Sequence, residues 1–147
     1  MLIGLNPLLS PDLLRALRAM GHGDDIAIVD GNFPGDSFAR RCIRADGHSA
    51  TDMLRAVLSV MPVDDFVDDA ATVMKTVGSD DVPEIVRSFQ DIINELADNP
   101  TDLTHLERFK FYERAKGAYA IVQTGEARLY GNIIITKGVV RPPTEAT

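Results

Sequence analysis

An α/β fold, one domain layered α/β/α around a largely parallel sheet, is predicted by three observations. Apolar runs of strand length, Ile26 to Val29, Tyr119 to Val122 and Ile133 to Ile135, show no polar alternation and so read as strands covered on both faces. Stretches with apolar residues three and four apart fall between the strand candidates, the pattern of helices packing on a sheet. The chain has 147 residues, the size of a single domain with one core.

Ser10-Pro11-Asp12 is a helix start: a hydroxyl to cap free amides, proline at the first helical position and an acid in the first turn. Leu13, Leu14, Leu17 and Met20 then share one helical face. Gly21 can take the left-handed conformation that stops a helix, so His22 is expected just past the negative end of the helix dipole, as a proton donor. The strand Ile26 to Val29 follows, and Asp30 comes next, where ligands usually bind in parallel sheets. A histidine and a carboxylate thus stand at opposite ends of one strand.

Phe33-Pro34-Gly35-Asp36-Ser37 is loop chemistry, and Arg41 to Arg44 is a short strand before the turn Ala45-Asp46-Gly47. Ser49 caps the next helix, with Asp52 in a capping-box position, Leu54, Val57, Leu58 and Met61 on its apolar face, and Pro62 as its end. The acids Asp64, Asp65, Asp68 and Asp69 lack the glycine turn and terminal glutamate of a calcium-binding loop and read as a solvated surface loop. Ala70 to Val77 is β-branched enough for a strand, and the clearest amphipathic helix runs from Pro83 through Ile85, Val86, Phe89, Ile92, Ile93 and Leu96. After the break at Asp98-Asn99-Pro100, aromatic and basic residues alternate through Glu107 to Ala115. Tyr119 to Val122, the turn Thr124-Gly125-Glu126, and Tyr130-Gly131-Asn132 before Ile133 complete a domain over 1–140, with residues 141–147 expected to fray.

Composition excludes several classes. A formal charge of -7 argues against nucleic acid or an anionic membrane as a partner, since both require clustered Lys and Arg. Met1 to Leu9 lacks the basic start and long apolar core of a signal peptide, and no apolar run reaches the roughly 18 residues of a membrane span, so a cytoplasmic protein is expected. Cys42 is the only cysteine and reads as packing. His48 and His105 lie in turn-like segments without partners, too few for a metal centre, and no metal site or cofactor is expected.

The pieces Asn6-Pro7-Leu8-Leu9-Ser10-Pro11, Met20-Gly21-His22-Gly23-Asp24, Asp30 with Phe33-Pro34, and Arg44-Ala45-Asp46-Gly47 resemble, in order, the family of ribose pyranases and fucose mutarotases. Arg108 to Ala115, Thr124-Gly125-Glu126 and Tyr130-Gly131-Asn132-Ile133-Ile134 are similar to its fucose branch more than its ribose branch. The resemblance spans residues 1 to about 140 and implies a cofactor-free isomerase interconverting sugar anomers, L-fucose first. It also implies ring-shaped homo-oligomers, decamers in this family, with each site near a subunit boundary. His22 is then the proton donor, and Asp30, Arg108, Tyr130 and Asn132 bind the monosaccharide. One departure is Gly31-Asn32, where fucose-branch members are expected to carry Ala then His, in a loop that bears on the preferred sugar.

The residue types suit that chemistry independently. A pyranose opens when its ring oxygen gains a proton and its anomeric hydroxyl loses one, so one acid and one base suffice. His22 can supply the first proton. Asp30, Tyr130 or a water held by either can take the second, although a tyrosine hydroxyl ordinarily titrates near pH 10. Arg108 and Asn132 offer donors to the sugar oxygens. Phe109, Phe111 and Tyr112 read as core or subunit packing. The alternatives are a D-ribose pyranase, a non-enzymatic sugar-binding accessory protein and a metal-dependent aldose isomerase.

Overall fold

A computed structural model describes residues 1–144. The elements follow in the order α1 (Pro11–Ala19), β1 (Asp25–Val29), α2 (Gly35–Phe38), β2 (Cys42–Ala45), α3 (Ala50–Leu58), β3 (Ala71–Met74), α4 (Glu84–Leu96), β4 (Thr104–Leu106), α5 (Arg108–Gly117), β5 (Ala120–Thr124) and β6 (Ile133–Thr136). The strands form one sheet in the order β2-β5-β1-β6-β3-β4. Five run the same way; β6 alone is antiparallel to both of its neighbours, β1 and β3. The expected frayed tail falls partly on 145–147, which lie outside the described residues.

Alternate side chains of the central strands feed two cores, as the unbroken apolar runs require. Ile26, Ile28, Val122, Ile133 and Ile135 pack with the faces of α1, α3 and α4, through Leu13, Leu54, Val57, Ile85, Phe89 and Ile93. Ala27, Val29, Ile121 and Ile134 meet Phe33, Phe111 and Ala115 on the other side, where α2 and α5 lie. The caps are the expected ones: Ser10 Oγ accepts from the Leu13 amide at 3.2 Å, and Ser49 Oγ from that of Asp52 at 3.1 Å.

The direction of β6 follows from chain length. Only residues 125–132 separate β5 from β6, too few for the dozen or more that a parallel crossover needs. The chain turns back, but over β1 rather than beside β5. This short loop therefore arches across the carboxyl end of β1 and drops Tyr130, Gly131 and Asn132 above Asp30. At its far end β6 delivers Thr136 and Lys137 beside Asp25 and Asp24, where β1 begins.

Two expectations are corrected here. Helix α1 ends at Ala19, with Met20 in an extended conformation, and the left-handed residue is Gly23 (φ 88°), not Gly21. The carbonyls at the end of α1 are taken by Lys137, whose Nζ donates to Leu17 O at 2.7 Å and Met20 O at 2.6 Å. A cation from another strand, rather than His22, thus answers the negative end of that helix. Arg108 to Ala115, to which the sequence assigns no element, form most of α5, with Glu107 as its N-cap.

Candidate functional site

Four of the five candidate residues meet at the carboxyl end of β1. A cavity of about 240 Å³ is lined there by Asp30, Arg108, Tyr130 and Asn132, with Asn32, Met74 and Tyr112 among its walls. Asp30 is held through its amide, its carbonyl and one carboxylate oxygen. Its amide donates to Asn132 Oδ1 at 2.8 Å, its carbonyl accepts from Gln123 Nε2 at 2.7 Å, and its Oδ1 accepts from the Asn32 amide at 2.9 Å. Burial pushes the Asp30 carboxyl above its ordinary value, outweighing the donors around it, the amides of Asn32, Phe33 and Gly131 and the side chain of Asn132. A carboxylate so raised is a stronger base than a solvated one.

Because the Asn132 carbonyl oxygen is committed to the Asp30 amide, its NH₂ group is left as the donor toward the cavity. Tyr130 has φ 63°, the sole left-handed non-glycine among the described residues. Gly and Asn are the residue types that tolerate positive φ in turns, yet in this Tyr-Gly-Asn turn the structure gives it to Tyr130. Gly131 is needed for space instead: a Cβ there would lie 2.8 Å from Ile85 Cδ1 and 2.9 Å from Glu126 Cγ. Such strain in a bulky residue persists only where surroundings enforce it, and here the Tyr130 hydroxyl accepts from the Val77 amide at 3.1 Å. That bond occupies a lone pair and leaves the hydroxyl proton free to donate.

Arg108 is the first residue of α5. Glu107 caps that helix, its Oε2 accepting from the amides of Phe109 and Lys110 at 3.0 and 3.1 Å, and these two donors hold the Glu107 carboxyl below its usual value. Arg108 Nε is buried with no hydrogen-bond partner, a donor awaiting an acceptor in the cavity. Tyr112, assigned to packing by the sequence, also faces this space, whereas Phe111 is core and Phe109 is exposed.

His22 is elsewhere. It sits before the other end of β1, whose five residues at about 3.3 Å each separate it from Asp30 by more than two side chains can span. Its Nε2 lies 2.9 Å from Asp64 Oδ1, and its ring packs on Phe66 with centroids 4.9 Å apart. Asp64 is therefore not part of a solvated acidic loop: its side chain is 2% exposed, against 44% for His22. Asp69 is also engaged, with Arg114. The contact spans 42 residues of sequence, and no local signal announces it. No group of three or more potential metal ligands occurs among the described residues.

A larger hollow of about 460 Å³ opens beside the first, around Gly35, Arg44, Asp46 and Gln123. Its Arg44, Asp46 and Gln123 side chains are already paired. Arg44 pairs with Asp46 at 2.9 Å, and Gln123 Oε1 accepts from the Gly35 amide while its Nε2 serves Asp30. The smaller cavity holds the unpaired donor and the raised carboxyl, and it is the candidate site.

Known proteins resemble this chain along nearly its whole length. The chain is 45% identical over 140 residues to an L-fucose mutarotase of Haemophilus influenzae, covering 95% of this chain and 97% of the relative. It is 46% identical over 145 residues to the fucose mutarotase of Mus musculus, covering 93% and 94%. The crystal structure of the fucose mutarotase from Streptococcus pneumoniae in complex with L-fucose superposes with a TM-score of 0.90 at 44% identity, over 95% of this chain and all of that one. With residues 3–140 matching its family profile, the chain belongs to the RbsD / FucU transport protein family.

Proposed function

We propose that this protein is a mutarotase that interconverts the α and β anomers of L-fucose in the cytoplasm. The observation that carries the reading is the convergence of Asp30, Arg108, Tyr130 and Asn132 on one cavity, with a raised carboxyl and an unpartnered arginine donor. The relatives named above supply the sugar. No helix among the described residues is long and apolar enough to cross a membrane.

The chemistry needs a proton delivered to the ring oxygen and one removed from the anomeric hydroxyl. Asp30, ionised and buried, takes the anomeric proton as the ring C–O bond breaks and the aldehyde forms. Arg108 Nε and the Asn132 amide group donate to the sugar oxygens and fix the open chain in place. Tyr130 keeps its proton and donates it to a hydroxyl. Rotation about the C1–C2 bond presents the other face of the aldehyde, and reversal of both transfers closes the ring as the other anomer.

The acid is His22 of a neighbouring copy. Within one chain it cannot reach the cavity, and the cavity, at about 240 Å³, is smaller than the usual 300 Å³ or more of a complete small-molecule site. Both half-sites are also rimmed by exposed apolar residues. Phe66 and Val67 lie by His22, and Val77, Phe109 and Leu129 lie by the cavity. Association that buries both rims brings acid to base, in a ring-shaped homo-oligomer.

Saturation-transfer NMR on the anomeric protons of equilibrated L-fucose tests this. Wild-type protein is expected to accelerate α to β exchange, and His22→Ala and Arg108→Ala to lose that acceleration; no acceleration by the wild type sinks the reading. D-ribose is the comparison sugar, because Asn32 lines the cavity at the position where this chain departs from the fucose branch. Faster exchange on ribose would reassign the substrate.

A further inference from the structure

We propose that Asp64 is the positioning residue for His22, holding its ring with the proton on Nε2 so that Nδ1 is the nitrogen that exchanges a proton with the sugar. The proposal rests on the mutarotase reading for the identity of the acid, and on geometry for the rest.

A carboxylate only accepts hydrogen bonds. With Asp64 Oδ1 at 2.9 Å, His22 Nε2 must carry the hydrogen and donate it, which in the neutral ring leaves the lone pair on Nδ1, pointing away from Asp64. The carboxylate itself cannot wander. Its Oδ1 also accepts from the Phe66 amide at 3.2 Å, and the Asp64 amide donates to Thr136 O on β6 at 3.0 Å. The preceding residue is fixed from two sides: the Val63 amide donates to Asp98 Oδ1 at 2.8 Å, and Asn99 Nδ2 donates to Val63 O at 3.0 Å. Arg114 and Arg141 pair with Asp69 and Asp65, tying the rest of the loop.

The other side of His22 is equally constrained. The Gly23 amide donates to Lys137 O at 2.9 Å, and the Lys137 amide to Asp24 O at 2.8 Å. Phe66 packs on the ring face at an interplanar angle of 55°. One face and one nitrogen of the imidazole are thus occupied, although the side chain remains 44% exposed. A half-exposed ring held this firmly is built to present its remaining nitrogen outward, toward a neighbour. In ring opening, Nδ1–H of the doubly protonated imidazole gives its proton to the ring oxygen as the C–O bond breaks; on closure Nδ1 takes it back, and Nε2–H stays on Asp64 throughout.

The test is magic-angle-spinning ¹⁵N NMR of histidine-labelled protein without sugar, at a pH where His22 is neutral, with the resonance identified by its absence in His22→Ala. Wild-type protein is expected to show a single tautomer protonated at Nε2. In Asp64→Asn, whose side-chain amide can turn either oxygen or NH₂ to the ring, that tautomer gives way to a mixture. With it, kcat for fucose anomer exchange falls about 10- to 100-fold, the usual scale for losing the partner that orients a histidine, while KM changes less than twofold because the sugar-binding groups are untouched. A merely structural role for Asp64 would leave the tautomer of folded protein unchanged.

A wild-type ring protonated at Nδ1, or already mixed, overturns the proposal without need of any variant. So does wild-type kcat in a folded Asp64→Asn protein. Absence of anomer exchange by the wild type would instead overturn the function, and the tautomer spectrum would still decide whether Asp64 sets the ring.

Discussion

Asp30 carries the sharpest consequence of burial. Its folded-state carboxyl sits above its ordinary value because burial disfavours the charged form. The sign is fixed: its contribution to stability is fully present below the ordinary value and is lost as pH rises through the raised one. Asp30→Asn, which keeps the shape and an oxygen for the Asn32 amide, is therefore expected to melt above the wild type at pH 7, with the gap closing as pH falls toward 4. The same substitution removes the proposed base and is expected to lower kcat by about 10² to 10⁴. Thermal melts at the two pH values, set beside the exchange assay, check both halves; an Asn variant that melts below the wild type at neutral pH contradicts the burial account. Asp30, Arg108, Tyr130 and Asn132 were legible in the sequence through resemblance, and the first also through its place after a buried strand. The partners that tune them were not. Asp64 reaches His22, and Gln123 reaches Asp30, across sequence separations of 42 and 93 residues, with no periodicity to mark either contact.

At the scale of elements, what could be read depended on whether a local rule had something to act on. Helices α1, α3 and α4 carry a hydroxyl cap or a clear apolar stripe and were placed within a few residues. Helix α5 has neither: Glu107 caps it in place of Ser, Thr, Asp or Asn, and only Phe111 and Ala115 are buried along its length. β4, with three partly exposed residues at the sheet edge, gives no pattern at all. The end of α1 was misplaced because its stop is tertiary, made by Lys137 from β6's far end. Lys137→Met is thus expected to destabilise the protein by about 1 to 3 kcal/mol, since two carbonyls lose a charged donor. Ser10→Ala at the other end of the same helix should cost about 1 kcal/mol. Urea unfolding ranks the two. Only Lys137→Met is also expected to lower kcat, because Lys137 Nζ holds Met20 O, two residues before His22.

In the proposed mechanism the whole molecule divides its chemistry between the two ends of one strand pair. β1 and β6 run antiparallel; one end of the pair carries Asp30 and Asn132, and the other carries the His22 loop and Lys137. The separation is imposed by the sheet, so no side-chain rearrangement within one chain closes it. The fold class was readable because buried strands alternate with helices. The strand order was not, since passing β6 over β1 is a choice among topologies that hydrophobic pattern does not rank. The proposed sharing of the site between copies makes a quantitative prediction. His22→Ala and Asp30→Asn homo-oligomers are each expected to be inactive. When the two are dissociated, mixed in equal amounts and reassembled, every site pairs a histidine end from one chain with a carboxylate end from another. Random assembly gives half of the sites an intact His22 and, independently, half an intact Asp30, so about a quarter should recover both. Anomer exchange near a quarter of wild type in the mixture, with none in either parent, requires that the two groups come from different chains. Exchange that stays at zero after verified subunit mixing would mean that each chain supplies both groups to its own site, which the length of β1 forbids without refolding the sheet.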